Sequence, residues 1–518
     1  MPIRHSTDEA ARQARIIARK NGISAENPVI YKKSLDARHK GDIHFVYSFL
    51  LDAEKLPNGK LSENLRLYDD KSAFDLKGLS ESVSEKNRHK KILVVGSGPC
   101  GLFAAYVLSV CGADVTVIER GDRVDERMKK IESFWKGGEL DPNTNVQFGE
   151  GGAGTFSDGK LNTGINSPLQ RFVLEVFAEC GAPKDILYLA KPHIGTDFLR
   201  RCVTNMREKI IDNGGKFCFN TCLTDLQIKD GRVVGAELSG MGFADFDRII
   251  LAPGHSARDT YEMLERRGVA MERKPFAVGV RIEHSREYIN RVQYGTAKDT
   301  ELLPTADYRL AYNGNVRSCY SFCMCPGGVV VNASSESGGL VVNGMSFHDR
   351  MEKNSNSALV VTVRPEDFDG ESPLSGVEFQ RRYERLAFAA CGGAAPVQLA
   401  RDFVSDRASR CLGNVEPSFT GKTEPADLRT CLPQFASETL KEGLIYFDRR
   451  MKGYSTGDAV MTGVEMRTSA PLRIKRGESG ESVSAKGLYP AGEGAGYAGG
   501  IMSAAIDGIK TAEKILKN

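Results

Sequence analysis

A short apolar strand that runs into Gly96-Ser97-Gly98-Pro99-Cys100-Gly101 and on into an apolar helix constrains the fold of this chain more than any other feature. Residues 91–95 carry the strand signal, 102–110 the helix, and 114–119 (DVTVIE) a second strand. This is the β-α-β opening of a doubly wound α/β domain. G-x-G-x-x-G is weak by itself, but here it follows a strand, opens a helix and is followed about twenty residues later by an acid, Glu119. Gly96 permits the tight turn, Gly98 lets backbone approach a pyrophosphate, and Gly101 lets helix and strand pack closely. Ser97, Pro99 and Cys100 complete the turn, and the helix N-terminus offers free N–H groups and a positive dipole end to phosphates. Glu119, at the end of the second strand, is placed to accept hydrogen bonds from ribose hydroxyls, with Arg120 beside it. A carboxylate there opposes a 2′-phosphate, which argues against NADP at this particular site.

Composition becomes informative at this point. Gly is 54 of 518 residues, about a tenth of the chain against ~7% in ordinary proteins. No G-X-Y period or Gly/Ser tract spreads them out, so collagen and flexible-linker readings fail. One further cluster, Gly492-Glu493-Gly494-Ala495-Gly496-Tyr497-Ala498-Gly499-Gly500-Ile501, follows a strand and precedes a small-residue helix. Its spacing resembles the C-terminal flavin motif of glutathione-reductase-type flavoproteins. The resemblance implies that Glu493 holds the ribityl and pyrophosphate region and that Gly499 and Gly500 let a flavin lie on the backbone. It also implies that the next helix points its positive end at the flavin. Two phosphate-type glycine motifs at opposite ends of one domain favour FAD over NAD as resident cofactor. Ile249-Ile250-Leu251-Ala252-Pro253-Gly254-His255 is similar to the strand that returns beside FAD in the same proteins. Ala252 and Gly254 take the contact positions, and Pro253 stands where Thr is usual.

A third cluster is the run Phe148-Gly149-Glu150-Gly151-Gly152-Ala153-Gly154-Thr155-Phe156-Ser157-Asp158-Gly159-Lys160-Leu161-Asn162-Thr163-Gly164. Such a run is entropically costly to order unless backbone has to come close to something. It follows the first β-α-β unit, where the flavoproteins it resembles place a loop against the flavin, and that resemblance implies such contacts for Gly151, Gly152, Ala153 and Gly154. Thr155, Lys160, Leu161 and Asn162 are then candidate contacts to flavin or substrate. With residues 34–38 (SLDAR), 321–328 (SFCMCPGG) and the C-terminal glycines, this segment resembles a family of uncharacterised bacterial FAD-dependent dehydrogenases over essentially the whole chain. The resemblance implies three parts: a small N-terminal α+β domain (1–88), a Rossmann-like, glutathione-reductase-type FAD domain (89–262 plus 465–518) and an inserted α+β substrate or cap domain (263–464). It implies FAD and leaves the substrate open.

Within the first part, a helix over Thr7–Lys20 that stops at Asn21-Gly22 and strands over 29–35 and 43–51 are predicted. Residues 77–90, rich in Ser, Glu and Lys, read as a linker. The net charge is only +3, from 70 Lys+Arg against 67 Asp+Glu, so no strong field draws nucleic acid or an acidic membrane. The mild excess gathers near Lys32, Lys33, Arg38 and Lys40 and reads as a solvated face. No apolar run approaches the ~20 residues of a membrane span, and the N-terminus lacks the apolar core of a secretory signal. The 12 cysteines are scattered, with no CxxC pair. A cytoplasmic protein with reduced thiols and no metal site is expected, acting on a small-molecule substrate or electron acceptor, with neither membrane nor nucleic-acid partner. Its oligomeric state stays open.

The flavin would carry the chemistry, and the protein would orient it. Candidate catalytic groups are Cys323, Cys325 and Lys160. On a regular strand two residues at i and i+2 share a face with Cβ atoms about 6.6 Å apart, against the ~3.5–4.5 Å of a disulfide. A bridge would need a turn, which Pro326-Gly327-Gly328 makes available, and no Lys or His adjoins the pair in sequence. Buried structural thiols are the favoured reading. Arg281, Glu283 and His284, after the apolar run 276–280, read as a surface ion-pair set, with carboxylate binding as the alternative. No second G-x-G-x-x-G follows a strand, so NAD(P)H enters at most as a transient reductant, or the substrate itself reduces the flavin. Two rivals remain. One is a flavin-dependent RNA-modifying enzyme that uses the basic N-terminal part, and the other a non-catalytic redox-sensing flavoprotein.

Overall fold

The strand ahead of the first glycine turn, Lys91–Val95, is the centre of a five-stranded sheet in the computed structural model of the chain. The structure describes residues 1–53, 61–68, 74–164, 167–296 and 298–517. Strand order is Leu488–Pro490, Arg248–Leu251, Lys91–Val95, Asp114–Ile118 and Lys216–Cys218, with every pairing parallel. Parallel strands need cover on both faces, and alternate residues supply it. Ile92, Val94, Val115 and Val117 pack with the helices Pro99–Val110, Leu169–Glu179, Thr196–Asp212 and Ile501–Lys517. Leu93, Val95, Ile118 and Leu251 pack on the opposite side with Leu226, Val233 and Leu238. Those come from an antiparallel sheet of Leu223–Lys229, Arg232–Leu238 and Gly242–Asp245. The helices Pro99–Val110 and Ile501–Lys517 meet backbone to backbone, since a Cβ on Gly508 would come to 2.1 Å from the Cys100 carbonyl oxygen. That contact brings the first and last glycine clusters together at the C-terminal ends of the parallel strands, the edge where open α/β sheets bind ligands.

Residues 276–465 contribute a seven-stranded mixed sheet. Its order is Ala311–Asn313, Ser318–Cys325, Asn354–Val363, Phe276–Ser285, Val460–Glu465, Ala395–Leu399 and Thr423–Pro425. Val278, Val280, Ile282, Leu359 and Val361 face the helix Gln434–Arg450 and pack with its Leu440, Leu444 and Phe447. The opposite face carries Ala277, Ala358 and Val360 with Tyr320 and Phe322, whose rings look across a cavity to the glycine turns.

Two expectations need correction. Phe276–Ser285 is paired on both edges, with Asn354–Val363 and with Val460–Glu465. Arg281, Glu283 and His284 are therefore buried and are no surface ion-pair set. Residues 77–90 are no linker either, because helices Leu76–Ser82 and Glu85–Arg88 occupy this stretch. Leu79 and Val83, one helical turn apart, are buried in the core beside the parallel sheet. The Arg88 guanidinium donates to the carbonyls of Ser80 (2.6 Å) and Cys111 (2.7 Å), and Asn87 donates to that of Leu516 at 2.8 Å.

The N-terminal helix spans Thr7–Lys20. Its Ser6 hydroxyl accepts from the Glu9 N–H, and Asp8, Glu9, Arg19 and Lys20 complement the dipole at the two ends. It packs on an antiparallel hairpin of Ala25–Asp36 and His44–Ala53. Lys33 ties the hairpin to the parallel-sheet unit by donating its N–H to Tyr188 O (2.7 Å) and accepting from the Ala190 N–H (2.9 Å). Among the described residues no helix is long and apolar enough to cross a membrane, and no group of His, Cys, Asp and Glu is placed to hold a metal ion.

Candidate active site

The glycines of the first turn divide by what their missing Cβ would meet. On Gly96 (φ +97°) a Cβ would lie 2.4 Å from the Ala252 carbonyl oxygen, and on Gly101 only 1.9 Å from that of Gly96. These two are required by packing. A Cβ on Gly98 would meet nothing closer than the Gly152 Cα at 3.9 Å, because Gly98 looks into a cavity of about 920 Å³. The helix that follows has Pro99 in its first turn and no side-chain cap, which leaves N–H groups of that turn available. Ser97 lies behind the turn and turns its hydroxyl and N–H to Glu119, at 2.8 and 3.0 Å. The other oxygen of Glu119 accepts from the N–H groups of Gly121 (3.1 Å) and Gly149 (3.0 Å). The acid is thus fixed at the wall of the cavity by the two loops it joins. Arg120 stacks on the Phe148 ring at 4.3 Å and pairs with Asp259 at 2.8 Å.

The middle glycine run is held by a residue that sequence reasoning missed. Arg127 is fully buried and donates to five carbonyls: Asn145, Val146, Gly149, Glu150 and Gly152, all at 2.7–3.2 Å. Burial without a directly paired carboxylate pushes its pKa down to about 9. A signal was present, for Val124, Arg127 and Ile131 are the buried positions of the helix Val124–Trp135, so a charge stands where the amphipathic pattern calls for an apolar residue. Glu150 is used in support as well. It accepts from the Val124 N–H (2.8 Å) at the start of that helix and pairs with Arg207 (3.3 Å).

At the third cluster, Gly492 (φ +74°) would carry a Cβ 2.8 Å from that of Cys100, and Gly494 one 2.5 Å from the Gly254 carbonyl oxygen. Gly254, Gly499 and Gly500 have nothing within 4 Å of such an atom and line the cavity. The Gly492 N–H donates to Asp507 (2.8 Å), which Arg476 holds by a bidentate pair. Glu493 faces the cavity with His255 Nε2 3.9 Å away. Burial pushes the Glu493 carboxyl up to about 7. Burial, with Arg467 and Arg258 nearby, pushes His255 down to about 3.

The far end of the cavity is built on the strand Ser318–Cys325. A bulge between Phe322 and Cys325, with Cys323 at φ +39°, breaks the alternation and brings both thiols to the cavity wall. The cysteines are free, and the Cys325 thiol donates to the Cys323 carbonyl at 3.4 Å. Burial raises the Cys325 thiol, whereas Cys323 is exposed to the cavity. No Lys or His adjoins the pair in sequence, but the fold brings cations to it: Arg281 Nη1 lies 3.9 Å from Cys325 Sγ and Lys160 donates to the Met324 carbonyl. Neither cation offsets the burial of Cys325, which is raised and donates as a thiol.

Of the predicted residues, Gly96, Gly98, Pro99, Cys100, Glu119, Arg120, Gly152, Ala153, Gly154, Lys160, Asn162, Ala252, Gly254, Cys323, Cys325, Glu493, Gly499, Gly500 and Ile501 line this single cavity. Ser97, Gly101, Gly151, Thr155, Leu161, Gly492 and Gly494 do not; they stand one layer behind it. Gly151, for instance, would place a Cβ 2.2 Å from the Thr155 Oγ1. Asp158, His255, Glu465 and Arg467 also line it and went unread in the sequence. The volume is near the top of the ~300–1,000 Å³ usual for ligand pockets. Two of its glycines, 98 and 499, have neither a packing neighbour nor a positive φ to explain the lack of a side chain. An extended dinucleotide lying on the backbone supplies that reason, and the residues present fit FAD.

Comparison with known proteins agrees. Residues 275–468 match the family model for "FAD-dependent protein, C-terminal domain-like", and residues 51–136 that for "Pyridine nucleotide-disulphide oxidoreductase". A protein of Clostridium beijerinckii, described as uncharacterised, is 51% identical over 494 residues, which is 94% of this chain and 92% of that one. Among solved structures, the flavin-dependent brominase Bmp2 aligns with a TM-score of 0.37 at 15% identity, over 83% of this chain and 79% of that one. Glycine oxidase from Geobacillus kaustophilus aligns with a TM-score of 0.36 at 11% identity, over 83% and 95%. No substrate is carried over from either.

Proposed function

The chain belongs to the FAD-dependent oxidoreductase family, and from that premise we propose that it is a flavoenzyme of glutathione-reductase type. Glu119 and Arg120 would hold the adenosine end of FAD, the Gly96–Gly101 turn its pyrophosphate, and the middle and C-terminal glycine loops its ring system. The observation that carries this reading is the pair of cavity glycines 98 and 499, whose backbone would admit a side chain and whose added Cβ would meet open space or a single distant atom.

When bound, the flavin supplies the acceptor of a hydride or electron pair. The protein's own groups bind and orient. Glu119 is held by four donors, which take up its carboxylate lone pairs, so it acts by fixing the Gly96 turn and the Gly121 and Gly149 loops around the adenosine end of the cavity. The start of helix Pro99–Val110, which has no side-chain cap, leaves N–H groups for the negative charge of a pyrophosphate. Arg127 keeps the middle loop in one shape, so little ordering is left to pay at binding. Glu493, raised to about 7, can hold or release a proton near neutral pH. The seven-stranded sheet roofs the cavity and restricts water. Substrate enters on that side, and NAD(P)H, where it serves as reductant, binds only transiently.

The test is direct. Protein purified from cells should be yellow and should release FAD on heating. Under anaerobic stopped flow its flavin absorbance should bleach with NADH, NADPH or one of a panel of reduced substrates. A protein that never takes up FAD ends the proposal.

A further inference from the structure

The cavity continues beyond the glycine clusters, and its far half brings two kinds of surface together. One is apolar: the rings of Tyr320 and Phe322, partly exposed and backed by Ala277, Ala358 and Val360. The other is cationic. Asp158 is almost fully buried and accepts from Lys160 at 2.8 Å and from both ends of the Arg350 guanidinium at 2.9 and 2.5 Å. Burial alone would raise the Asp158 carboxyl, but Lys160 and Arg350 hold it well below the usual carboxylate range. Two cations therefore share one carboxylate, and one positive charge is left over.

Among the described residues nothing nearby cancels it. The Arg281–Glu465 pair is neutral within itself, and the other Arg281 donors are spent on Asn343, Asn356 and the Cys323 carbonyl. Asp307 in the same wall is matched by Lys191 at 2.8 Å. Cys325, which donates to a carbonyl, adds no negative charge. Of the two cations at Asp158, Lys160 is the accessible one, with a third of its side chain exposed to the cavity against a seventh for Arg350. Its ammonium has three donors; Asp158 and the Met324 carbonyl take two, and the third is left for a ligand.

We propose that this half of the cavity takes an organic acid with an apolar or aromatic body, its acid group received by Lys160 and its body laid against Tyr320 and Phe322. The inference rests on the flavoenzyme reading and adds the chemical class of substrate. The experiment titrates FAD-loaded protein with benzoate, with benzamide as its neutral isostere, and with acetate as an acid without a body. The flavin difference spectrum reads binding. Benzoate should give a saturable change, with benzamide and acetate each binding about tenfold to hundredfold more weakly, as expected for loss of a charge-assisted hydrogen bond or of the ring contact. Lys160→Gln should abolish the preference for benzoate over benzamide, and Lys160→Arg should keep it. Added salt should weaken benzoate and leave benzamide unchanged.

Equal binding of benzoate and benzamide, no saturable response to benzoate, or an unchanged preference in Lys160→Gln overturns the proposal. Should Lys160→Gln fail to retain FAD, the wild-type preference and its salt dependence decide alone. The shift of the thermal midpoint by the same ligands is read in parallel. It reports acid binding even in protein that lacks flavin, so failure of the FAD assignment and failure of this one are distinguishable.

Discussion

Gly98 and Gly101 stand three residues apart and answer to different neighbours. Alanine at Gly101 would press its methyl group to 1.9 Å from a carbonyl oxygen and should destabilise the fold by about 3 kcal/mol or more. Alanine at Gly98, where φ is −70°, or at Gly499 meets only cavity, so the flavin-free protein should keep its stability within about 0.5 kcal/mol while FAD retention drops. Urea midpoints and flavin absorbance after desalting measure the two effects separately. Full retention of FAD in Gly98→Ala would remove the pyrophosphate from this turn. Glu493 gives a second prediction at this scale. Its folded pKa, about 7, lies above its ordinary 4.5. The stability it contributes is thus fully present below pH 4.5 and is lost as pH rises through 7. In flavin-free protein Glu493→Gln should leave the thermal midpoint unchanged below pH 4.5. At pH 8 it should raise stability by about 1–2 kcal/mol once screening by cavity water is allowed for. A midpoint difference that is the same at both pH values would contradict the buried-carboxyl account. The glycines and Glu119 could be read from sequence because their motif is local. Cys323 could not, because a one-residue bulge, invisible to strand periodicity, decides which way its thiol points.

Arg127 acts on an element rather than on a ligand, since its five acceptors span the segment from Asn145 to Gly152. Arg127→Met would leave those carbonyls without their donor and should cost about 2–4 kcal/mol. It should also loosen the middle loop, so that FAD is lost on dilution faster than from wild type. Lys at 127 should recover only part of both, because one ammonium cannot span the same five carbonyls. Limited proteolysis between residues 145 and 164, with and without FAD, reads the loop directly, and an unchanged cleavage pattern in Arg127→Met would refute the role. Elements with strong local signals were legible to the residue, as for Thr7–Lys20 with its stop at Asn21-Gly22. The helices at 76–88 were not, because only Leu79 and Val83 mark their buried side amid polar sequence. The burial of Arg281 was not legible either. It follows from pairing with strands near residues 358 and 462, and no local pattern states that partnership.

At the scale of the molecule, the cavity exists because two sheet units close on each other. The middle glycine loop is fastened to the seven-stranded unit by Asp158 to Arg350 and by Lys160 to the Met324 carbonyl. Beside them the Thr196 N–H donates to Ser346 O at 3.0 Å, and the His348 N–H to Asp197 at 3.0 Å. A ligand touching both units is linked to the stability of both. FAD at a hundred times its Kd should therefore raise stability by about 2.7 kcal/mol, with a thermal midpoint that keeps rising as FAD is added. Arg350→Ala separates the two contributions. It leaves Asp158 buried with Lys160 alone, which should cost flavin-free protein about 3 kcal/mol. It should also shrink the FAD-linked rise at equal FAD, because binding must then order a loop that wild type holds in advance. Calorimetric scans over a series of FAD concentrations measure both quantities on the same samples. Were the variant to lose stability yet show the wild-type rise, the salt bridge would be a fastening of the fold alone, and the cofactor site would owe its shape to Arg127 and the parallel sheet without help from the second unit.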